Sequence, residues 1–309
     1  MRAIPHVSIA LGMLICAPGA SAQQVADNDF RFPNPHTAYA AGQGPWVCID
    51  SAHNNYPADR YRPFAALLRD DGYRLRELSQ EFTAEALAEC GVLVTVGPTA
   101  DDNRGEWAFP HFPAFARGEL EALFEWISAG GGLLLIADHA PFPAAAADLG
   151  TMLGVVMADG TARLGPLPGP DVFTRAGGHL SEHAILRGRN ESEHIDSVVS
   201  WAGVAFRSSP EWSPLVRFGS QSTVSVNLAV NFPDMPMDQW PVIPIPGWSH
   251  AAARKMGNGG VVWLGEFTIC TALRAGEERV PLGMNHHAAG QNAQFCLNIV
   301  RWLSGILGG

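Results

Sequence analysis

Residues 130–141 read GGGLLLIADHAP: three glycines, an unbroken apolar run, an acid, a histidine and a proline. A short continuous run such as Leu133-Leu134-Leu135-Ile136-Ala137 is the signature of a strand buried on both faces. The stretch before it, Gly118 to Ile127, carries apolar residues at helical spacing, and the glycines end that helix and start the strand. Asp138 and His139 therefore fall where the chain leaves the sheet. In open α/β sheets that carboxyl end is where ligands bind.

Similar patterns lie on either side. Pro45 to Asp50 reads as a first strand running directly into Ser51-Ala52-His53-Asn54-Asn55, a polar cluster at a second strand exit. A helix from Tyr61 to Gly72, a half-exposed alternating strand at 73–78, a short helix at 83–89 and a buried strand at 91–96 follow. The loop 100–115 carries Trp107, Phe109, His111 and Phe112, and its length suits a wall over a site. Beyond Pro141 the pattern predicts a helix over 144–153. Strand-like runs follow at 195–199, 204–206, 215–218 and 223–230, then a last buried strand at 259–265 exiting at Glu266. Asn285-His286-His287 lead into a C-terminal helix over 291–303. Strands alternating with helices imply parallel pairing with right-handed crossovers. The expected fold class is α/β: a doubly wound, mostly parallel sheet with helices on both faces and a β-rich excursion in the second half.

The chain of 309 residues, 47% hydrophobic and 16% charged, has a globular composition. Arg2, the apolar run 9–15 and Ala20-Ser21-Ala22 match a secretory signal cleaved after Ala22, which predicts a periplasmic or secreted protein. The expected organisation is a signal peptide over 1–22, an extended arm over 23–44, and a single α/β domain over 45–309 with Gly/Pro-rich excursions at 159–182 and 231–246. A net charge of −10, with Lys255 the only lysine, argues against nucleic acid and anionic membrane surfaces. No stretch past the leader is long and apolar enough to span a bilayer. Cys48, Cys90, Cys270 and Cys296 lie in apolar runs without a CxxC pair, and buried free thiols are the simpler expectation, although an oxidising compartment permits disulfides.

Four segments carry a family resemblance: Ile49 to Asn55, GGGLLLIADHAP, Gly265-Glu266-Phe267, and Gly283-Met284-Asn285 running on to Asn292-Ala293-Gln294-Phe295. Together they resemble the class I glutamine amidotransferase-like superfamily, which has a flavodoxin-like fold. Within it they are most similar to a secreted branch related to ThuA-like and gliding-motility-like proteins. The resemblance implies a flavodoxin-like sheet order over most of 45–304, with the first and fourth strand exits as close neighbours. It does not bring the amidotransferase chemistry. That family places a nucleophilic cysteine at the elbow after the Gly-Gly-Gly strand, where this chain has Asp138-His139.

The candidate catalytic residues are Asp138, His139, His53, Asp50 and Glu266, all at strand exits. Carboxylates and imidazoles there could hold a divalent metal at Asp50, His53, Asp138 and His139, or work without one as an oriented general base activating water. Asn54, Asn55, Trp107 and His286 are candidates for substrate contact. Ser51 lacks an elbow motif, and no G-x-G-x-x-G follows the first strand, so no nucleotide is expected. Asp138 and Asp50 could instead simply cap the following turns. The function expected is a hydrolase-like protein acting on a small polar or carbohydrate-like substrate; the alternative is a non-catalytic envelope protein that binds a ligand or acts as a scaffold.

Overall fold

The structure is a computed structural model and describes residues 24–53, 58–103, 110–165, 169–226, 235–236 and 239–308. The segment 1–22 expected to be a leader, Asn54, Asn55, Trp107 and residues 231–234 and 237–238 of the second Pro-rich stretch lie outside the described residues.

The main sheet has nine strands: β1 Trp46–Asp50, β2 Arg74–Leu78, β3 Cys90–Val96, β4 Gly132–Ile136, β5 Val155–Met157, β6 Phe206–Ser208, β7 Ser213–Arg217, β8 Ser249–Met256 and β9 Gly259–Leu264. Their order is β2-β1-β3-β4-β9-β8-β6-β5, with β7 also paired to β8. The first five in that order are parallel, and the remaining pairings are antiparallel. The molecule is thus α/β with a large mixed sheet. β3 stands between β1 and β4, so the first and fourth strand exits are not neighbours.

Alternation along each strand decides what lies on either face, because successive side chains point to opposite sides. Val47, Val92, Val94, Leu134, Ile136, Val262 and Leu264 share one core with α1 (Arg62–Asp70) and α4 (Asn292–Leu303). Cys48, Leu93, Leu133, Leu135, Val261 and Trp263 share the other with α2 (Arg117–Ala129) and α3 (Ala147–Leu153). Gly132 and Gly260 let α4 approach closely. A Cβ on the first would lie 2.7 Å from the Leu303 carbonyl oxygen, and on the second 2.8 Å from the Trp302 ring.

Three features depart from expectation. The cysteines form two disulfides, Cys48–Cys90 and Cys270–Cys296, rather than lying as free thiols. Each joins elements that only the folded chain makes adjacent: β1 to β3, and the turn after Glu266 to α4. The helix expected over 144–153 is broken at Ala146 into Phe142–Ala145 and Ala147–Leu153. Finally, β8 was not foreseen, because Ser249-His250-Ala251-Ala252-Ala253 has no β-branched residue, yet all five residues are buried.

The N-terminal arm is fixed to the body. Gln24–Ala26 pairs with Ala272–Ala275. Asn34 and the Ala38 amide each donate to Asp71 at 2.8 Å. Fully buried Arg301 of α4 grips Asp71 through two nitrogens at 2.9 and 2.6 Å and reaches Glu193 at 2.9 Å.

Candidate functional site

The strand-exit residues divide into two clusters, and strand parity explains why. Asp50 lies two residues beyond Cys48 and shares its face, toward α2. Asp138 and Glu266 each lie two residues beyond a paired position, Ile136 and Leu264, and share the face toward α1 and α4.

On the α2 side, His53 lies buried between the rings of Phe82 and Phe115, with centroids at 4.5 and 4.7 Å. Its Nδ1 is 3.0 Å from both Asp50 carboxylate oxygens, and its Nε2 is 2.8 Å from Glu119 Oε1. Thr95 donates to Asp50 at 2.6 Å, and the Ala52 amide at 3.0 Å. Glu119, in the first turn of α2, also accepts the amides of Phe82 and Ala116 at 2.8 Å each. Burial alone pulls the His53 pKa down. The bonds to Asp50 and Glu119 outweigh it and raise the pKa to about 9. Burial acts to raise the Glu119 pKa, but His53 and the two amides hold it below its usual value. His53 is thus an imidazolium with both N–H groups committed, which leaves no lone pair for a metal or a proton.

On the α1 side, Asp138 and Glu266 sit almost wholly buried on adjacent strands. The hydrogen bond from the Ala137 amide to the Leu264 carbonyl, 2.7 Å, extends the ladder to this point. Glu266 caps the turn Phe267–Cys270, accepting the Thr268 amide at 2.8 Å and the Thr268 hydroxyl at 2.5 Å. Burial first, then the neighbouring Asp138, push its pKa up to about 8, against the bonds from Thr268 and the Trp201 amide. Tyr61, just ahead of α1, is buried, and its hydroxyl has no hydrogen-bond partner among the described residues. Burial, Asp138 and Glu266 raise its pKa well above normal, while Arg60 acts in the opposite sense. The phenol therefore remains a proton donor. Gly203, at φ 130°, passes so close that a Cβ would strike the Gly265 carbonyl and the Glu266 side chain.

His139 is half-buried. Its amide donates to Asp138 at 2.7 Å, and its Nδ1 lies 2.7 Å from the Ala140 carbonyl. A carbonyl only accepts, so Nδ1 carries the proton and Nε2 is the basic nitrogen. His286 packs on His287 and Trp201, with centroids at 4.2 and 5.2 Å, and its Nδ1 accepts the Ala288 amide. Partial burial and then His287 lower its pKa. Through Trp201 it borders the Glu266 cluster. Among the described residues, no three His, Cys, Asp or Glu side chains are grouped so as to hold a metal ion. By strand parity Asp50 and Asp138 belong to opposite faces of the sheet.

Sequence reasoning missed Glu119, Thr95 and Tyr61. Only Thr95 left a signal: a hydroxyl in an otherwise apolar run, two residues beyond Leu93 and on the face of Asp50.

No family model matches the chain, and no curated protein matches it. Among solved structures, the mmIFT52 N-terminal domain superposes with a TM-score of 0.55 at 14% identity, covering 84% of this chain and 97% of that one. A protein described as ThuA-like from Bacteroides uniformis gives a TM-score of 0.46 at 13% identity, covering 88% of this chain and 95% of that one. A cytoplasmic protein from Salmonella typhimurium gives 0.48 at 12% identity, covering 84% and 98%. The last two scores bear no further weight. The first shows that this chain shares its α/β fold with the mmIFT52 N-terminal domain, and at 14% identity the likeness extends to the fold alone.

Proposed function

We propose that this chain is a secreted or periplasmic hydrolase-like protein whose acid–base site is the Asp138–Glu266 pair, acting on a small polar or carbohydrate-like substrate. One observation carries the reading: Asp138 and Glu266 are almost wholly buried together at the carboxyl end of adjacent parallel strands, where burial and then Asp138 push the Glu266 pKa up to about 8. Two carboxyls side by side can divide acid and base roles between them. Glu266 gives its proton to a leaving oxygen or nitrogen while Asp138 takes one from the attacking water. The basic Nε2 of His139 is the nearest alternative base in sequence. Asn54, Asn55, Trp107 and His286 stay with this reading as candidates for substrate contact.

The parallel order β2-β1-β3-β4-β9, with helices on both faces, supports a flavodoxin-like, doubly wound arrangement of the amidotransferase-like kind. Two disulfides and the N-terminal leader pattern support an oxidising compartment.

The test is hydrolysis of ester, amide and glycoside panels by the wild type, Glu266→Gln and Asp138→Asn. Turnover reduced at least ~100-fold in each variant, with folding intact, supports the reading. No turnover by the wild type, or turnover indifferent to both substitutions, overturns it. The second reading, a non-catalytic envelope protein, draws on the Asp50–His53–Glu119 cluster, whose polar groups are spent on one another.

A further inference from the structure

A cavity of about 340 Å³ lies apart from the carboxyl pair. It opens between the N-terminal arm at 32–36, the turn at 192–194, and Gly290, Gln291 and Gln294 at the start of α4. Among the described residues, none of those around Asp138 and Glu266 lines it. Its volume is at the small end of ligand sites. The arm that walls it is anchored: Arg301 Nη2 donates to the His36 carbonyl at 2.9 Å, and Asn34 Nδ2 donates to Asp71 at 2.8 Å. Gln291 is fixed as well, accepting the amides of Asp196 and Ser197 at 2.9 and 2.8 Å and donating to the His194 carbonyl at 3.0 Å.

Two features of the α4 end say what chemistry would fill the space. The first is Gln294, only 7% exposed. Its Nε2 lies 2.9 Å from Asn298 Oδ1, and Asn298 Nδ2 donates to the carbonyls of Ile185 and Glu193 at 2.8 Å each. Carbonyls only accept, so Asn298 turns its oxygen to Gln294, and Gln294 answers with its nitrogen. What Gln294 has left for the cavity is Oε1, which accepts no hydrogen bond among the described residues. Such an acceptor calls for a donor. The second feature is the N-terminus of the twelve-residue helix itself. The amides of Gln291 and Gln294 have no acceptor among the described residues, and with the helix dipole they favour an anion. The Glu193 carboxylate on the lining does not oppose one, because Arg189 and Arg301 hold it at 3.0 and 2.9 Å.

We propose that this cavity is a binding site for a small hydroxylated carboxylate: the carboxylate sits at the N-terminus of α4 on the amides of Gln291 and Gln294, and a hydroxyl of the same molecule donates to Gln294 Oε1. The two requirements select against simpler ligands. A plain carboxylate leaves Oε1 unpaired, and an uncharged polyol leaves the helix N-terminus without its anion. The site does not depend on the acid–base reading of Glu266.

The experiment is isothermal titration calorimetry of the intact protein with gluconate, tartrate and galacturonate, against acetate and glucose, which each carry one of the two groups. At least one of the three hydroxy acids is expected to bind at least ~10-fold more tightly than either control. Gln294→Leu removes Oε1 and should weaken that binding about tenfold, the worth of one hydrogen bond. Gly290→Phe fills the cavity and should abolish it. Gly290 has open space where a Cβ would stand and no left-handed backbone. That variant therefore keeps its fold even if Gln294→Leu, which also loses the bond to Asn298, does not. Binding of none of the three overturns the proposal, as does acetate or glucose bound as tightly as they are. Binding unchanged by Gly290→Phe, or by a folded Gln294→Leu, overturns it too.

Discussion

The two polar clusters at the carboxyl edge of the sheet are built from the same residue types and reach opposite ends. On the α2 face, His53 stands between Asp50 and Glu119, each charge meets its opposite, and every ring nitrogen is bonded. On the α1 face, two buried carboxyls meet, burial and Asp138 raise the proton affinity of Glu266, and a buried phenol nearby has no hydrogen-bond partner among the described residues. The first is how a fold neutralises buried charge. The second leaves proton affinity strained and a donor unspent, which is how acid–base sites are recognised. Each cluster also has its own staple: Cys48–Cys90 begins two residues before Asp50, and Cys270–Cys296 begins four residues after Glu266.

Five variants would break or sharpen this contrast. His53→Ala leaves two buried carboxylates uncompensated and is expected to cost about 3–5 kcal/mol in chemical denaturation. The pH dependence carries the same signature. Because the folded pKa of His53 is raised from 6.5 to about 9, its stabilisation is complete below pH 6.5 and is lost as pH rises through about 9. That fall should be absent in the variant.

Replacing either cystine by paired alanines is expected to cost about 3.5–4 kcal/mol on the loop-closure account, slightly more for the 42-residue separation than for the 26-residue one. Thr95→Val removes one donor to Asp50 and should cost about 1 kcal/mol.

The smallest effect on stability is expected for Glu266→Gln below about pH 4.5, within about 1 kcal/mol, because there the carboxyl is protonated in the folded and the unfolded chain alike and a neutral amide replaces a neutral acid; above that pH the variant gains on the wild type. Its mark is again in the pH profile. A carboxyl raised from 4.5 to about 8 on folding keeps its proton while the unfolded chain has lost it, so wild-type stability falls between those values as pH rises. Glu266→Gln should flatten that fall, whereas His53→Ala should flatten only the one between 6.5 and about 9.

Much of this was legible in the sequence. The apolar runs at 46–50, 90–96, 132–136 and 259–264 marked the parallel strands, and helical spacing marked α1, α2 and α4. Among the described residues, Asp50, His53, Asp138, His139 and Glu266 lie at or just past the ends of β1, β4 and β9. The division of those candidates was not legible. In a strand apolar on both faces, neighbouring residues look alike, so nothing says whether Asp138 points toward α1 or α2. That becomes visible only when partners such as Leu123 or Ile299 identify the two cores. Strand order was hidden for a related reason, and with it the separation of the first and fourth exits. The Cys48–Cys90 pairing needed the knowledge that β1 and β3 are adjacent. β8 was hidden because alanines suit a crowded, doubly covered strand while reading locally as helix.

The central claim is that the α1-face cluster holds an acid proton at neutral pH. The most direct measurement is the pH-dependent infrared spectrum of the folded protein in the carbonyl-stretch region of protonated carboxylic acids, for the wild type and Glu266→Gln. The account predicts a protonated-carboxyl band present in the wild type at pH 7, lost as pH passes about 8, and absent from Glu266→Gln throughout. A wild type without that band at pH 7, or a band that survives the substitution unchanged, would contradict it.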